Sequence, residues 1–335
     1  MKGVINDTSH GGASIIFRMR LVFAALLALA CAPAWPQDYP TRPVRMLVPN
    51  APGSSVDTMS RILSARLGDA LGQPVVVENR DGAGGLIGME QGRNAKPDGY
   101  TLICASNGSM IIAPHLRKVL PYDPIRDFDH VGTFAVTPNV LVVTPALPVR
   151  NVAELIEYAK ANRATINMAS AGIGSQSHLA GAMLMAMAGI ESLHVPHKGG
   201  GPSVNSVVAG QTHWTMVPAP AAMSFVKNGK LRALGHSLAR RSAILGDLPP
   251  VAETVQGYDF SGWAGLVVPK GTPRAAIDRV HAAMVKSLAA PEVREQLAAQ
   301  GAELFVGSGE EFRRFLAQEV SATQRVIKAA QLQPE

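Results

Sequence analysis

The sequence predicts an α/β protein built of βαβ units, with helices on both faces of mostly parallel sheet. Two observations carry this. Short apolar runs rich in Val, Ile and Leu alternate with longer runs of helical periodicity. Two strand-to-helix junctions are also loops of small residues, Val48-Pro49-Asn50-Ala51-Pro52-Gly53-Ser54-Ser55-Val56-Asp57 and Ala169-Ser170-Ala171-Gly172-Ile173-Gly174-Ser175-Gln176-Ser177-His178-Leu179. At 335 residues the chain can hold two domains with sizeable cores. Its 47% apolar and 17% charged residues are those of a globular protein.

The elements follow in order. Arg18 and Arg20 precede the apolar run Leu21–Ala30, and Ala32-Pro33-Ala34 supplies a small-residue cleavage signature. This is the pattern of an export signal, residues 1–34, cleaved near Ala34. The run is shorter than the ~20 residues of a membrane span. Met19 is an alternative start, and lipidation at Cys31 is disfavoured because Ala28 stands where a lipobox has Leu. Val44–Val48 reads as a strand, and Met59, Ile62, Leu63, Leu67, Ala70 and Leu71 share the face of a following helix. Val75–Val77 is a second strand, Leu86–Asn94 a second helix and Thr101–Ala105 a third strand. A new series starts near Val140–Val143. Asn151 with Glu154 opens a helix that ends near Asn162, and Ile166–Ala169 is a strand. Leu179, Ala182, Met183, Ala186 and Met187 form the next helical face, stopped by Gly189. Thr272-Pro273 reads as a cap with Pro at the first helical position, and Ile277, Val280, Met284 and Leu288 point inward. Pro291 opens a helix that Gly301 ends. Ser308-Gly309-Glu310-Glu311 is a capping box for a last helix.

Several function classes are disfavoured. Without residues 1–34 the chain keeps 28 basic and 24 acidic residues, with no basic block, and aromatics are sparse. Nucleic-acid binding is therefore a poor reading. Cys104 is the single cysteine after the leader, in a buried-strand pattern, and reads as a core residue. Asn79-Arg80-Asp81-Gly82-Ala83-Gly84-Gly85-Leu86-Ile87-Gly88 has the wrong spacing for a dinucleotide fingerprint and reads as a tight turn. His194-Val195-Pro196-His197 lacks a third ligand for zinc, so no metal site is expected; His197 is a cleft-contact candidate. Ser175, Ser177 and His178 are adjacent, but there is no G-x-S-x-G elbow and neighbours on a helix diverge, so no catalytic residue is assigned. The two loops fit ligand binding better. Helix starts carry unpaired N–H groups and positive dipole ends, and Gly and Ser admit a ligand close to the backbone. Asp57 either caps its helix, holds the Pro52–Ser55 loop, or meets a ligand amine or water.

These residues support a family. Tyr39-Pro40-Thr41-Arg42-Pro43-Val44, the Asn79–Gly85 segment, Lys96-Pro97-Asp98-Gly99-Tyr100-Thr101-Leu102, Gly172–Leu179, His194–Gly200, Gly229-Lys230-Leu231-Arg232-Ala233-Leu234 and Trp263-Ala264-Gly265-Leu266 together resemble the substrate-binding proteins of tripartite tricarboxylate transporters, the Bordetella uptake gene family. The resemblance implies a periplasmic binding protein of type II-like fold. Two α/β lobes with mixed sheets flanked by helices, residues 35–137 plus 262–335 and residues 138–261, would be joined by a strand hinge. It implies that a small carboxylate is gripped by one loop from each lobe, here Pro52, Gly53, Ser54, Ser55 and Asp57, and Gly174, Ser175, Gln176, Ser177 and His178. Ser106, Asn107 and Pro218–Ala222, with Ala219, are implied wall positions. Three departures stand out. The family's first loop reads P-F-x-P-G-G, where this chain has Asn50 for the aromatic and Ser54 for the second Gly. His197 replaces the Tyr of V-P-Y-K-G. Thr212-His213 follows Gly210-Gln211 where the family has G-Q-V and then Asp.

The expected function is an exported, monomeric solute receptor without cofactor, which binds a small carboxylate and delivers it to the membrane subunits of a transporter. The alternatives are a periplasmic sensor feeding a signalling receptor, which the same cleft would serve, and an exported hydrolase, which would turn its ligand over.

Overall fold

The computed structural model describes residues 39–82, 85–116, 118–163 and 165–329. Residues 1–34, read above as an export signal, and with them Cys31, lie outside the described residues, as do Ala83 and Gly84. The described chain builds two mixed sheets flanked by helices. Strands β1 (Val44–Val48), β2 (Val75–Asn79), β3 (Thr101–Ser106), β4 (Phe128–Thr137), β10 (Gly262–Pro269) and β11 (Glu303–Ser308) form the first, in the order β11-β4-β10-β3-β1-β2. Strands β5 (Asn139–Val143), β6 (Asn167–Ser170), β7 (Leu193–Pro196), β8 (Trp214–Pro218) and β9 (Arg232–His236) form the second, in the order β7-β6-β8-β5-β9.

Each sheet contains the same right-sized unit. In the first, α1 (Ser55–Leu71) links β1 to β2, and α2 (Leu86–Arg93) carries the chain back to β3 on the other side of β1. In the second, α5 (Gln176–Ala188) links β6 to β7, and α6 (Gly200–Val208) returns to β8 beyond β6. Those strands are parallel; β4, β5, β9, β10 and β11 pair antiparallel, so the sheets are less parallel than the sequence pattern suggests. The reason is connectivity. The chain passes from β4 to β5 through Pro138 as strand, and returns into β10, with no crossover helix to impose parallel pairing.

The two passages are stitched together. Asn139 N–H donates to Ser237 Oγ at 2.9 Å, and Asn139 Nδ2 to Phe260 O at 2.8 Å. Ser237 Oγ lies 2.8 Å from Ser261 Oγ.

Burial follows the patterns. Along β5, Leu141 and Val143 enter one cluster with Trp214 and Tyr258, while Val140 and Val142 enter another with Val217 and Ala222. Alternation puts successive side chains on opposite faces, and both faces are covered. Cys104 is fully buried, and burial pushes its thiol up to about 12, as for a core residue. The last helix, α10 (Gly309–Ala329), spans both halves: Phe312 and Leu316 join the core of the first sheet, and Ile327 that of the second.

Helix ends mostly match their signals. Asn151 Oδ1 accepts from Glu154 N–H at 2.8 Å to open α4 (Val152–Ala161). The Ser308–Glu311 box is reciprocal, with Ser308 N–H on Glu311 Oε2 at 2.8 Å and Glu311 N–H on Ser308 Oγ at 3.3 Å. Two expectations are corrected. Helix α8 (Arg274–Ala289) starts one residue late, with Pro273 itself at the cap, and Thr272 instead closes the preceding turn by donating Oγ1 to Pro269 O at 2.7 Å. On α5, Ala186 and Met187 are exposed, since burial concentrates in the first turns, Ser177 to Ala182.

Candidate functional site

In open α/β sheets, ligands bind at the carboxyl ends of strands where the strand order reverses. In the first sheet that point lies between β1 and β3, which are followed by the Asn50–Ser54 loop and by Ser106-Asn107. In the second it lies between β6 and β8, which are followed by the Ala171–Ser175 loop and by α7 (Ala219–Lys227), whose cap is Pro218. All four candidate segments therefore fall at the two switch points.

The two loops are built alike. Gly53 and Gly174 take φ of 78° and 72°, conformations that favour glycine. Ser54 and Ser175 follow as N-caps with φ/ψ of −67°/160° and −69°/161°. Ser54 Oγ accepts from Asp57 N–H at 3.2 Å, and Ser175 Oγ from His178 N–H at 3.2 Å. The next side chains reach back: Gly53 N–H donates to Asp57 Oδ2 at 2.8 Å, and Gly174 N–H to His178 Nδ1 at 3.1 Å. With these bonds made, Ser55 and Val56 N–H, and Gln176 and Ser177 N–H, have no acceptor among the described residues. Each loop thus offers a pair of backbone donors at the positive end of a helix, the groups an anion takes. Val56 is absent from the sequence-derived residues because only its position, not its side chain, marks it.

On the first loop Asp57 is buried and fully engaged. Arg61 Nε lies 3.1 Å from both carboxylate oxygens, and Asn79 Nδ2 donates to Oδ1 at 2.8 Å. Burial alone would raise its pKa, but Arg61, Gly53 N–H and Asn79 outweigh it and hold the carboxyl below its usual value. Asp57 therefore holds the loop. A helical glycine makes room: a Cβ on Gly88 of α2 would stand 2.7 Å from Pro49 Cα, so α2 lies directly against the first loop. Pro52, Gly53 and Ser55 are exposed, and Ser54 is half-buried.

On the second loop the hydroxyls are turned inward. Ser175 Oγ donates to Gly172 O at 2.7 Å, and Ser177 Oγ accepts from Ala171 N–H at 2.8 Å. His178 stacks on His194, with ring centroids 3.8 Å apart and planes within 4°. Burial, and then His194, hold His178 down to about 4; burial and His197 lower His194. The bond from Gly174 N–H leaves the His178 proton on Nε2. His194 Nε2 lies 2.6 Å from Ser170 Oγ, but that hydroxyl also bonds Gly172 N–H and O at 3.1 and 3.2 Å. No carboxylate is bonded to His194 among the described residues, so a nucleophile–base–acid chain is not assembled there.

The other candidates divide. Ser106 and Asn107 are buried beside the passage between sheets, where Asn107 Nδ2 donates to Ser261 O at 3.4 Å. Gln176 is turned to the same passage: its Nε2 donates to Asn139 Oδ1 at 3.2 Å, and a Cβ on Gly262 would lie 2.8 Å from it. Ala219 is wholly buried and its N–H is held by Pro138 O at 3.0 Å. His197 sits beside the second loop, its N–H on Ser170 O at 2.9 Å. The segment after β3 reaches the second loop, where a Cβ on Gly174 would collide with Leu116, and packs on Gly85, whose Cβ would lie 3.2 Å from Ser109 Cβ and 3.0 Å from Pro49 O of the first loop. Among the described residues no group of three His, Cys, Asp or Glu side chains could hold a metal ion, and no helix is long and apolar enough to cross a membrane.

Residues 59–332 match the family model described as "Tripartite tricarboxylate transporter family receptor". The chain is 34% identical over 311 residues to Protein BugT of Bordetella pertussis, covering 92% of this chain and 94% of that protein. It is similar to the structure described as R. palustris Rpa4515 with adipate, with 32% identity, a TM-score of 0.78, and coverage of 89% of this chain and 100% of the other. It is likewise similar to the periplasmic binding protein BugD, with 33% identity, a TM-score of 0.74, and coverage of 89% and 100%.

Proposed function

This chain belongs to the tripartite tricarboxylate transporter receptor family, and from that premise we propose that it is an exported solute receptor that closes on a small carboxylate and hands it to the membrane subunits of its transporter. The observation that carries the reading is the pair of equivalent helix starts, each with two unengaged N–H groups, at the two switch points. A carboxylate has two oxygens, and donors from two sides can satisfy both without an arginine. The adipate-bound relative supports the ligand class.

In this reading residues 35–137 with 262–335 form one lobe and residues 138–261 the other. The Pro138 and Ser261 passages serve as the hinge. The working ligand contacts are Asn50, the Pro52–Asp57 and Gly174–His178 loops, His197, and the Ser106-Asn107 and Pro218-Ala219 walls. Asp57, His178 and the Ser175 and Ser177 hydroxyls act by shaping the loops, and the backbone does the gripping. The receptor acts as a monomer in the periplasm after cleavage near Ala34, and performs no chemistry on its ligand. A thermal-shift screen of mono-, di- and tricarboxylates against the mature protein tests this. Ligand that binds only the native state raises Tm by mass action; no rise with any small anion contradicts the proposal.

A further inference from the structure

Asn139 opens β5, wholly buried where the chain crosses between the sheets, and each of its polar groups is engaged. Its N–H donates to Ser237 Oγ at 2.9 Å, and its backbone oxygen accepts Ser237 N–H at 2.9 Å. Its Nδ2 donates to Phe260 O at 2.8 Å. A carbonyl only accepts, so that bond fixes which end of the amide is which. Oδ1 then faces Gln176, which presents Nε2 to it at 3.2 Å. Gln176 is the first residue of α5, and its N–H and that of Ser177 are the open donors of the second loop. The network runs on through Ser261, whose hydroxyl lies 2.8 Å from Ser237 Oγ and whose backbone oxygen accepts Asn107 Nδ2 at 3.4 Å. A continuous line of hydrogen bonds thus joins the second loop, both passages and the Ser106-Asn107 segment after β3. Gly262, at the start of β10, leaves room for the Gln176 amide. The three atoms nearest to a Cβ there are Gln176 Nε2, Oε1 and Cδ, at 2.8, 3.1 and 3.3 Å.

We propose that Asn139 is a positioning residue for ligand binding. Through the Gln176 side chain it sets the direction of the first turn of α5, and so of the Gln176 and Ser177 N–H groups, against the Ser106-Asn107 wall of the other sheet. This rests on the carboxylate reading above. The first turn of a helix has the fewest hydrogen bonds of its own, so a side-chain anchor decides how firmly its N–H groups are aimed. A turn anchored before the acid arrives has less freedom left to lose on binding. Every acid that uses those two donors gains alike, so Asn139 sets affinity and leaves selectivity to the groups that touch the ligand.

Two variants remove this strut from different ends. Asn139→Leu deletes the acceptor. Gly262→Ala puts a methyl where the Gln176 amide lies; it meets only the far end of a flexible side chain, and the bonds of Asn139 to Ser237 and Phe260 stay. Calorimetry and stopped-flow mixing follow binding of propionate, succinate, adipate, citrate and benzoate to the mature protein, with thermal melts to check folding. Each variant should weaken every acid that the wild type binds by about tenfold. The order among the acids should be kept, and the change should lie in koff. The double variant should fall within about twofold of the weaker single variant, because both changes remove one strut. The proposal is overturned if Gly262→Ala binds within about threefold of wild type, if the two losses multiply, or if the order of the acids changes. It is also overturned if kon falls instead of koff rising, because the displaced side chain would then be obstructing the acid. Should Asn139→Leu fail to fold, the rates of Gly262→Ala, whose Tm should stay near that of wild type, decide the matter. Binding of none of the five acids by the wild type removes the carboxylate reading, and this inference with it. Unaltered binding in the variants overturns the inference alone.

Discussion

Asp57 and His178 hold the same place in two loops on two different sheets. Each lies three residues past a serine cap, and each accepts the N–H of the glycine before that cap, at 2.8 Å for Asp57 and 3.1 Å for His178. The first strut is charged and balanced by Arg61; the second is neutral and balanced by a ring stack. The shared bond fixes a glycine of positive φ, and the fixed glycine leaves the next N–H groups open.

Asp57→Ala should lower stability by about 2–3 kcal/mol, because it strands the Asn79 amide and the Gly53 N–H inside a buried network. Asp57→Asn should cost less, since one acceptor remains. Urea unfolding of the mature protein measures both. An unchanged midpoint for Asp57→Ala would show that the network carries no net energy.

His178→Phe keeps a ring to stack on His194 but removes the acceptor for Gly174 N–H. We expect a stability loss of about 1 kcal/mol and ligand binding about tenfold weaker, roughly 1.4 kcal/mol, as the second loop loses its set. Affinity unchanged from wild type would separate the loop from the site.

The pH dependence has two windows. His178 titrates near 6.5 when unfolded and near 4 when folded. Between those values the unfolded chain holds the extra proton, so stability should fall as pH drops from about 6.5 to about 4 and be insensitive to this group below that. Asp57, lowered by its partners, adds stability above its ordinary value near 3.8 that is lost as pH falls further through its folded value. Urea midpoints from pH 8 to pH 3 should show a shallower decline above pH 4 in His178→Phe than in wild type. Parallel curves would assign that slope elsewhere.

Glu303, on β11 of the first sheet, is buried and accepts from Ser242 Oγ and, at 3.3 Å, from Arg240 Nη2, both on the segment after β9 of the second. Glu303→Ala should cost about 2 kcal/mol, since it leaves the buried Ser242 hydroxyl without its acceptor. Arg240→Ala should cost no more than about 0.5 kcal/mol, because that side chain is largely exposed. Equal losses in chemical denaturation would mean the ion pair, not the Ser242 bond, ties the sheets.

Much of this was legible in the sequence for local reasons. The Asn151 and Ser308 helix starts and the Gly189 stop are written in residues whose chemistry acts within one turn, whereas at α1 the sequence offers Asp57 as a cap and the fold uses Ser54. The antiparallel strands were less legible. Phe128–Thr137 and Gly262–Pro269 pair with each other across the entire second sheet's sequence, and nothing local in either encodes a partner so distant. At the site, the loops were read from composition, but the roles of their side chains were not. Ser175 and Ser177 look like ligand hydroxyls in sequence and are spent inside the loop in the fold. The Gln176 side chain turns to Asn139, which leaves its N–H as the group open at the helix start. The stack of His178 on His194 joins residues from different elements, and had no sequence signal beyond the presence of two histidines.

Whether an acid sits between the two helix starts is decided by a crystal structure with the best carboxylate from the screen. Carboxylate oxygens should lie within hydrogen-bond distance of Ser55 or Val56 N–H on one side and Gln176 or Ser177 N–H on the other. Ligand bound elsewhere, such as in the 720 Å³ cavity lined by His130, Lys270 and Arg313 at the far end of the first sheet, with both loops empty, would contradict it.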